Sequence, residues 1–141
     1  MSNYKVGFIG GGNMARALVG GLVSSGYPQE SLFIAEPSEQ RREEIAPSLP
    51  GVTISADNHA VAAQSDCLVL AVKPQLMQEV CLDLAGAVQE HRPLVISVAA
   101  GTHSRDIDCW LGGDLAVVRV MPNQPALLLE GASGLYANKK T

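Results

Sequence analysis

Apolar residues occur along this chain in short runs that alternate with segments of helical spacing. The run at 67–72 has no polar alternation, which is typical of a parallel strand buried on both faces. We predict strands in the run ending at Ile9 and at 32–35, 52–54, 67–72, 94–98 and 115–121, with two possible closing strands at 127–129 and 134–137. Repeated strands and helices with crossovers predict an α/β fold, a doubly wound and mostly parallel sheet with helices on both faces.

The first helices carry start and stop signals. A helix is predicted over 13–25, and Gly26 is placed to end it in the left-handed conformation. Asp57 is a suitable N-cap for a helix over 58–64.

Two later helices are also predicted. Pro74 suits the first turn of a helix, where its missing N–H has no helical partner. Ser104 is expected to cap a shorter helix, which Trp110 packs onto the sheet. The helix after Pro74 has an apolar stripe at Leu76, Val80, Leu84 and Val88.

A glycine-rich turn, Gly10-x-Gly12-x-x-Ala15, joins the first strand to the first helix. The order strand, tight turn, helix is typical of a dinucleotide-binding turn. Gly10 permits the turn, Gly12 lets the backbone approach a pyrophosphate, and the small Ala15 allows close packing of helix on strand. The free N–H groups of the helix beginning near Asn13 would face the phosphates, so we expect a Rossmann-type fold.

The end of the second strand carries opposing signals for the adenosine ribose. Glu36 is placed to accept hydrogen bonds from ribose hydroxyls, which favours NAD. Ser38, Arg41 and Arg42 offer a donor and positive charge to a 2′-phosphate, which favours NADP. Arg41 and Arg42 also suit the exposed face of a helix rich in glutamate, and we slightly favour that interpretation. The choice between the two cofactors stays open.

Composition narrows the possible partners. The chain has 141 residues, 47% of them hydrophobic, which fits one domain. Its net charge of −4 and its scattered basic residues disfavour binding to nucleic acid. No segment approaches the ~20 apolar residues that span a bilayer, and no secretion signal is recognisable. Cys67, Cys81 and Cys109 are widely spaced, which indicates free thiols in a reducing cytoplasm and no metal site.

Other candidate groups follow the remaining strands. Lys73 stands at a carboxyl strand end, where ligands bind in such sheets. The small residues at 99–101 would let backbone pass close to a bound ring, and the prolines at 122–125 make a stiff loop at the same edge. His59 and His103 lie beside predicted helix starts, where surface or capping roles are expected.

Four ordered blocks together resemble pyrroline-5-carboxylate reductase, at 8–15, 70–75, 97–101 and 119–126. The resemblance covers nearly the whole chain and implies reduction of the cyclic imine 1-pyrroline-5-carboxylate to proline by NADPH or NADH. It implies that Asn123 faces the imine and that the full-length protein is a homo-oligomer. It implies cofactor contacts at Ile9, Gly10, Gly11, Gly12, Asn13 and Met14 for the pyrophosphate, Glu36 and Ser38 for the ribose, Asn58 for the adenine side, and Ala71, Val72, Lys73, Pro74, Ala99, Ala100 and Gly101 for the nicotinamide half.

The chain departs from that family in two respects. Gln124 stands where the family usually has threonine, and the chain stops where the family continues into a helical dimerisation domain. We therefore expect residues 1–141 to form the dinucleotide-binding domain, with nucleotide binding but poor turnover. The alternatives are a regulatory nucleotide-binding module without catalysis and another oxidoreductase of the same architecture.

Overall fold

The computed structural model describes residues 4–10, 12–98 and 103–119. The strands are β1 (Val6–Ile9), β2 (Leu32–Ala35), β3 (Thr53–Ser55), β4 (Cys67–Leu70), β5 (Leu94–Ser97) and β6 (Val117–Arg119). The α-helices are α1 (Asn13–Ser24), α2 (Glu39–Ile45), α3 (Asn58–Gln64), α4 (Pro74–His91) and α5 (Ser104–Trp110). Short 3-10 turns occupy Gln29–Ser31 and Ala46–Ser48.

The strands form one six-stranded sheet in the order β3-β2-β1-β4-β5-β6, with every neighbouring pair parallel. The direction of winding reverses between β1 and β4, as in a doubly wound fold, so the predicted fold class is confirmed. Ile9 lies opposite Ala35 on one side and Leu70 on the other. The carboxyl ends of β1, β2 and β4 are therefore level, and the loops that follow them meet at one edge.

The side chains of each strand alternate between two apolar layers. Val6 and Phe8 join a cluster with Leu18 and Leu22 of α1, on the face that α2 also covers through Ile45. The other face packs against α3, α4 and α5. Its cluster includes Ile9, Leu68, Leu70, Val61, Met77, Leu84 and Ile107. Both faces of the sheet are thus covered, which explains why the strands read as continuous apolar runs.

Most predicted helix signals are confirmed. Gly26 has a φ of +97° directly after Ser25, the C-cap of α1, and the Asp57 side chain accepts from the His59 N–H at 2.9 Å. Trp110 is partly buried against the cluster that α5 covers. The predicted cap at Ser104 is wrong, because Ser104 is the first residue of α5 and His103 occupies the N-cap position.

The apolar stripe predicted on α4 is confirmed at Leu84 and Val88 and wrong at Leu76, while Val80 packs against the core cluster without being fully buried. Leu76 is 45% exposed, and Val80 is only partly buried. The buried stripe consists of Met77, Cys81, Leu84 and Val88. Methionine and cysteine fill the inner positions in place of Leu76 and Val80, so the face is shifted by one residue towards the C-terminus in its first half.

Several predicted bounds also change. β3 spans Thr53–Ser55 rather than 52–54, and β4 ends at Leu70 rather than at 72. β5 ends at Ser97 rather than at 98, β6 begins at Val117 rather than at 115, and α1 ends at Ser24 rather than at 25. The predicted closing strands at 127–129 and 134–137 lie outside the described residues, as do positions 120 and 121. Among the described helices, none has the length and hydropathy that crossing a bilayer requires.

Candidate functional site

The turn after β1 is held tightly against the end of β4. Ile9 is fully buried, and Gly10 follows it with a φ of +102°. A Cβ atom on Gly10 would lie 3.0 Å from the Ala71 carbonyl oxygen, while the Gly10 N–H donates to the Ala35 carbonyl at 2.9 Å. Any side chain at this position would therefore meet both backbone strain and a close contact.

Gly12 occupies the N-cap position of α1 in an extended conformation, with a φ of −75° and a ψ of −170°. Among the described residues, no side chain caps this helix end, and its first turn carries no acidic residue. Asn13 is the first residue of α1, and Met14 beside it is 39% exposed. An uncapped N-terminus at the carboxyl edge of the sheet is a ready site for a phosphate. Gly11 lies outside the described residues.

The segment after β4 lies at the same edge. The Ala71 N–H donates to the Ile9 carbonyl at 3.0 Å, which carries the β1–β4 pairing one residue further. Val72 is half-buried, Lys73 is exposed at the N-cap of α4, and Pro74 is the first residue of that helix. The structure thus places the predicted cofactor contacts at 71–74 beside the glycine turn. Among them, Lys73 provides an exposed cationic side chain at this edge of the sheet.

The segment after β2 contains a buried carboxylate. Glu36 is only 6% exposed, and its N–H donates to the Ser55 carbonyl of β3 at 2.8 Å. Its Oε2 accepts from the Ser38 N–H at 2.9 Å. Ser38 is the N-cap of α2, and its Oγ accepts from the Arg41 N–H at 3.3 Å. The two residues predicted for the ribose therefore form one hydrogen-bonded loop.

Arg41 is exposed, as the slightly favoured interpretation as a solvated helix face expects, while Arg42 is half-buried, and both arginines also contact this loop. Arg42 Nη1 donates to the Glu36 carbonyl at 2.7 Å. Arg41 Nη1 lies 3.8 Å from Glu36 Oε1 and 3.5 Å from the position of a Cβ on Gly12. The physical reason is the buried charge of Glu36, which is costly unless a cation or hydrogen-bond donors compensate it.

Asn58 begins α3, one residue after the Asp57 cap. Its side-chain Oδ1 is buried and has no hydrogen-bond partner among the described residues. A buried acceptor without a partner is unusual in a folded protein and costs free energy. Asn58 follows β3 at the carboxyl edge of the sheet, so its side-chain carbonyl can accept a hydrogen bond from a ligand there.

The histidines contribute to the surface rather than to the site. His59 Nε2 lies 3.0 Å from Asp83 Oδ2, and this pair joins the exposed sides of α3 and α4. His103 is exposed at the N-cap position of α5. Both positions agree with the surface or capping roles predicted from the sequence.

Several predicted site residues lie outside the part of the chain that the structure describes. They are Ala99, Ala100, Gly101, Asn123 and Gln124. The strands that precede them are described, and Ser97 at the end of β5 lies opposite both Leu70 and Arg119. The carboxyl ends of β5 and β6 are thus level with the glycine turn.

A separate surface cavity of about 570 Å³ lies between α1 and the end of α2. It is lined by Arg16, Ala17, Gly20, Val23, Ser24, Ile45, Ser48 and Leu49. None of the predicted cofactor residues lines this cavity, so it is distinct from the edge that carries the glycine turn.

Together the described residues can hold an adenosine dinucleotide. The bare helix N-terminus at Gly12 suits a pyrophosphate, and the Glu36 loop suits the neighbouring ribose. The unpartnered carbonyl of Asn58 supplies an acceptor one strand further. Arg41, for which the sequence left both a contact with a 2′-phosphate and a solvated position open, lies between the Glu36 loop and Gly12.

Comparisons with known proteins agree with this geometry. Residues 5–101 match the family model described as NADP oxidoreductase coenzyme F420-dependent. A pyrroline-5-carboxylate reductase from Pseudomonas aeruginosa is 44% identical over 138 residues, which are 98% of this chain and 50% of that protein. The chain therefore spans about half the length of this curated relative.

Solved structures of pyrroline-5-carboxylate reductases are also similar to this chain. A pyrroline-5-carboxylate reductase from Coxiella burnetii is 36% identical, with a TM-score of 0.79 over 84% of this chain and 43% of that one. The pyrroline carboxylate reductase of Plasmodium falciparum, solved with NADP bound, is 27% identical, with a TM-score of 0.72 over 86% of this chain and 43% of that one. The resemblance identified from the four sequence blocks is confirmed, and the chain belongs to the NADP oxidoreductase coenzyme F420-dependent family.

Proposed function

We propose that this chain is the cofactor-binding part of a pyrroline-5-carboxylate reductase, which reduces 1-pyrroline-5-carboxylate to L-proline with NADPH or NADH. The observation that carries the proposal is the 44% identity to such a reductase over 98% of the chain. The level strand ends and the glycine turn support it, because they supply the site that the cofactor of this reaction requires.

A bound nicotinamide supplies the hydride that adds to the carbon of the protonated imine, which becomes a neutral amine. The task of this chain is then to bind and orient rather than to act as a strong acid or base. The α1 N-terminus holds the pyrophosphate, while the Glu36 loop and Asn58 hold the adenosine. Ala71, Val72, Lys73 and Pro74, with the segment 99–101, border the nicotinamide half in this proposal, and Asn123 faces the imine.

Residues 1–141 form one dinucleotide-binding domain in this proposal. The dimerisation domain and the groups that hold the substrate carboxylate belong to the part of the family's length that these residues do not span. The relatives are about twice as long, since the chain covers 50% of the P. aeruginosa protein. We therefore expect the 141-residue polypeptide to bind nucleotide and to turn over far below the ~1–10³ s⁻¹ typical of enzymes.

A titration with NADPH and with NADH, followed by nicotinamide fluorescence, tests the proposal. The expected result is saturable binding of at least one reduced cofactor, and its slow oxidation when 1-pyrroline-5-carboxylate is added. Binding without any oxidation by the imine would favour the regulatory module instead. The absence of binding to either cofactor would overturn the proposal.

A further inference from the structure

The surface cavity beside α1 has the size of a small-molecule site. Its volume is about 570 Å³, within the roughly 300–1,000 Å³ of typical ligand pockets. Arg16, Gly20 and Val23 lie on the wall that α1 forms. Ile45 at the end of α2 and Leu49, directly after the 3-10 turn that follows, lie on the opposite wall. Among the described residues that line the cavity, none is proposed to contact the dinucleotide, so a ligand here would be additional to the cofactor.

Arg16 places a positive charge in this cavity without a counter-charge. Its side chain is half-buried, and no hydrogen bond or ion pair joins its guanidinium to any residue in the described ranges. The described lining residues include no aspartate and no glutamate. An anion stabilises a partly desolvated cation, and the five N–H donors of a guanidinium match a carboxylate or a phosphate. The cavity therefore favours a ligand with a negative charge at the Arg16 end.

The lining beyond Arg16 favours a carboxylate with an aliphatic body. Val23 packs against the core, and Ile45 and Leu49 are buried core residues that border the cavity. Burial of an aliphatic body on these side chains is favourable, whereas a phosphate alone would leave them in contact with water. Arg16 and Val23 are two turns apart on α1, about 10 Å along the helix axis. This separation suits a short aliphatic acid, whose single negative charge pairs with Arg16.

Gly20 leaves room for such a ligand in the middle of the α1 wall. A Cβ atom at this position would have no described atom within 4 Å. Because Gly20 also lines the cavity, a larger side chain there would occupy part of the ligand volume rather than displace the core.

We infer that this cavity is a second ligand site, which binds a small aliphatic carboxylate with its negative charge on Arg16 and its apolar body against Ile45 and Leu49. The inference goes beyond the proposed function and does not depend on it. The dinucleotide is proposed to contact the N-terminus of α1 at Gly12, whereas this ligand contacts the side of the same helix, so both can be bound at once.

Titration of the isotope-labelled chain with hexanoate, followed by amide chemical shifts in NMR spectra, tests the inference. Hexanamide has the same aliphatic body without the charge, and inorganic phosphate has a charge without the body. We expect saturable shifts centred on α1 and on residues 45–49, and binding of hexanoate at least about tenfold tighter than that of either comparison ligand. Addition of NADPH should leave hexanoate bound.

Two substitutions change the cavity in different ways. Arg16→Gln removes the charge and should weaken hexanoate at least about tenfold, to the affinity of hexanamide. Gly20→Leu fills the cavity and should abolish saturable binding of hexanoate. Its thermal unfolding midpoint should stay the same or rise, because leucine favours a helix more than glycine does. Gly86→Leu is the matched control, since Gly86 also lies in a helix with no described atom within 4 Å of its Cβ position, and this variant should bind hexanoate as the wild type does.

The absence of saturable hexanoate binding, or wild-type affinity in Arg16→Gln or in Gly20→Leu, would overturn the inference. Equal affinity for hexanoate and hexanamide, or for hexanoate and phosphate, would also overturn it, because the site would then not recognise an aliphatic carboxylate. Displacement of hexanoate by NADPH would place it at the cofactor edge, with the same consequence. Binding of hexanoate by a chain that binds neither reduced cofactor would overturn the proposed function and leave this inference standing.

Discussion

Gly7 of β1 lies directly against Ser65, the residue that ends α3. A Cβ atom on Gly7 would overlap the Ser65 Oγ and come within 2.7 Å of Val61 Cγ1. Ser65 is fully buried, and its Oγ donates to the Val61 carbonyl at 2.7 Å. The glycine therefore lets the end of α3 pack directly on the backbone of a central strand, three residues before the turn that begins the candidate site.

Replacing Gly7 by alanine should destabilise the fold. The new methyl group would displace a buried hydroxyl that is already hydrogen-bonded, and overpacking of this kind costs about 1–3 kcal/mol or somewhat more. Urea unfolding of Gly7→Ala, followed by circular dichroism, measures the change in the free energy of unfolding.

Gly86→Ala is the matched control for this substitution. Gly86 lies within α4, and among the described residues nothing is within 4 Å of the position that its Cβ would take. Alanine there should stabilise the chain by about 0.5–1 kcal/mol, because alanine loses less conformational entropy in a helix than glycine does. Equal effects of the two substitutions would show that the contact between Gly7 and Ser65 has no energetic weight.

Alanine substitutions at Gly10 and Gly12 should separate effects on the free energy of unfolding from effects on nucleotide binding. Gly12→Ala meets only an ordinary contact with Arg41 Nη1 at 3.5 Å and keeps a negative φ, so we expect little loss of stability. Its methyl group would stand where the pyrophosphate is proposed to approach, and binding of NADPH and NADH should weaken at least about tenfold. Calorimetric titration and thermal unfolding of the same sample measure both quantities.

Gly10→Ala is expected to differ in its stability. Its φ of +102° and the 3.0 Å approach to the Ala71 carbonyl should cost about 1–3 kcal/mol, in addition to any loss of binding. Unchanged nucleotide affinity in Gly12→Ala, with the fold intact, would contradict the placement of the pyrophosphate at the α1 N-terminus.

The sheet was predictable because its four central strands, β2, β1, β4 and β5, are buried on both faces. The run at 32–35 reads as uniformly apolar, and all four residues of β2 are buried. Asp57 and Gly26 then marked helix ends through local chemistry that does not depend on tertiary contacts. The sequence predicted a doubly wound sheet but no strand order, since the crossover rule only restricts the topology to a few arrangements.

The remaining features depend on contacts between distant residues. Periodicity alone places Leu76 and Met77 equally well on α4, and only packing against the sheet shows that Met77 is the buried one. The orientation of Arg41 is decided by the burial of Glu36, which no local pattern reports. Sequence therefore located the edge of the site but not the electrostatic partners within it.

Asn58 should contribute to binding without contributing to stability. Its buried Oδ1 lacks a partner among the described residues, so Asn58→Ala removes a desolvated acceptor and should leave the free energy of unfolding unchanged or slightly raised. If the adenine side of the cofactor donates to this oxygen, the same change weakens NADPH and NADH alike by roughly 5- to 30-fold, as loss of one buried hydrogen bond does.

Isothermal titration of Asn58→Ala with 5′-AMP, which contains the adenine and no nicotinamide, measures that effect. Gln64→Ala removes a side-chain amide from the exposed end of the same helix, so it serves as the control and should bind as the wild type does. A marked loss of stability in Asn58→Ala with normal affinity would show that the amide has a structural role instead.

Burial raises the pKa values of two thiols in the core and of one partly buried phenol. Desolvation raises the pKa of the Cys67 thiol to about 12 and that of Cys81 to about 11, and the nearby Asp66 charge adds to the shift at Cys67. Desolvation is also the largest cause that raises the pKa of Tyr27 to about 12. The Tyr27 hydroxyl donates to the Tyr4 carbonyl, which the neutral phenol alone can do.

The free energy of unfolding should therefore decrease as the pH rises above about 9. In the unfolded chain the thiols titrate near 9.0 and the phenol near 10.0, whereas the folded chain keeps these protons up to about 11 to 12. The unfolded state then binds fewer protons than the folded state, and stability falls with pH across this interval while these groups have no effect below it. Urea unfolding between about pH 7 and 10.5 in the presence of a thiol reductant measures the slope. Tyr27→Phe should lower the stability at neutral pH and reduce the slope above about pH 10, where the two thiols still contribute. A slope that stays zero in the wild type would contradict the assignment.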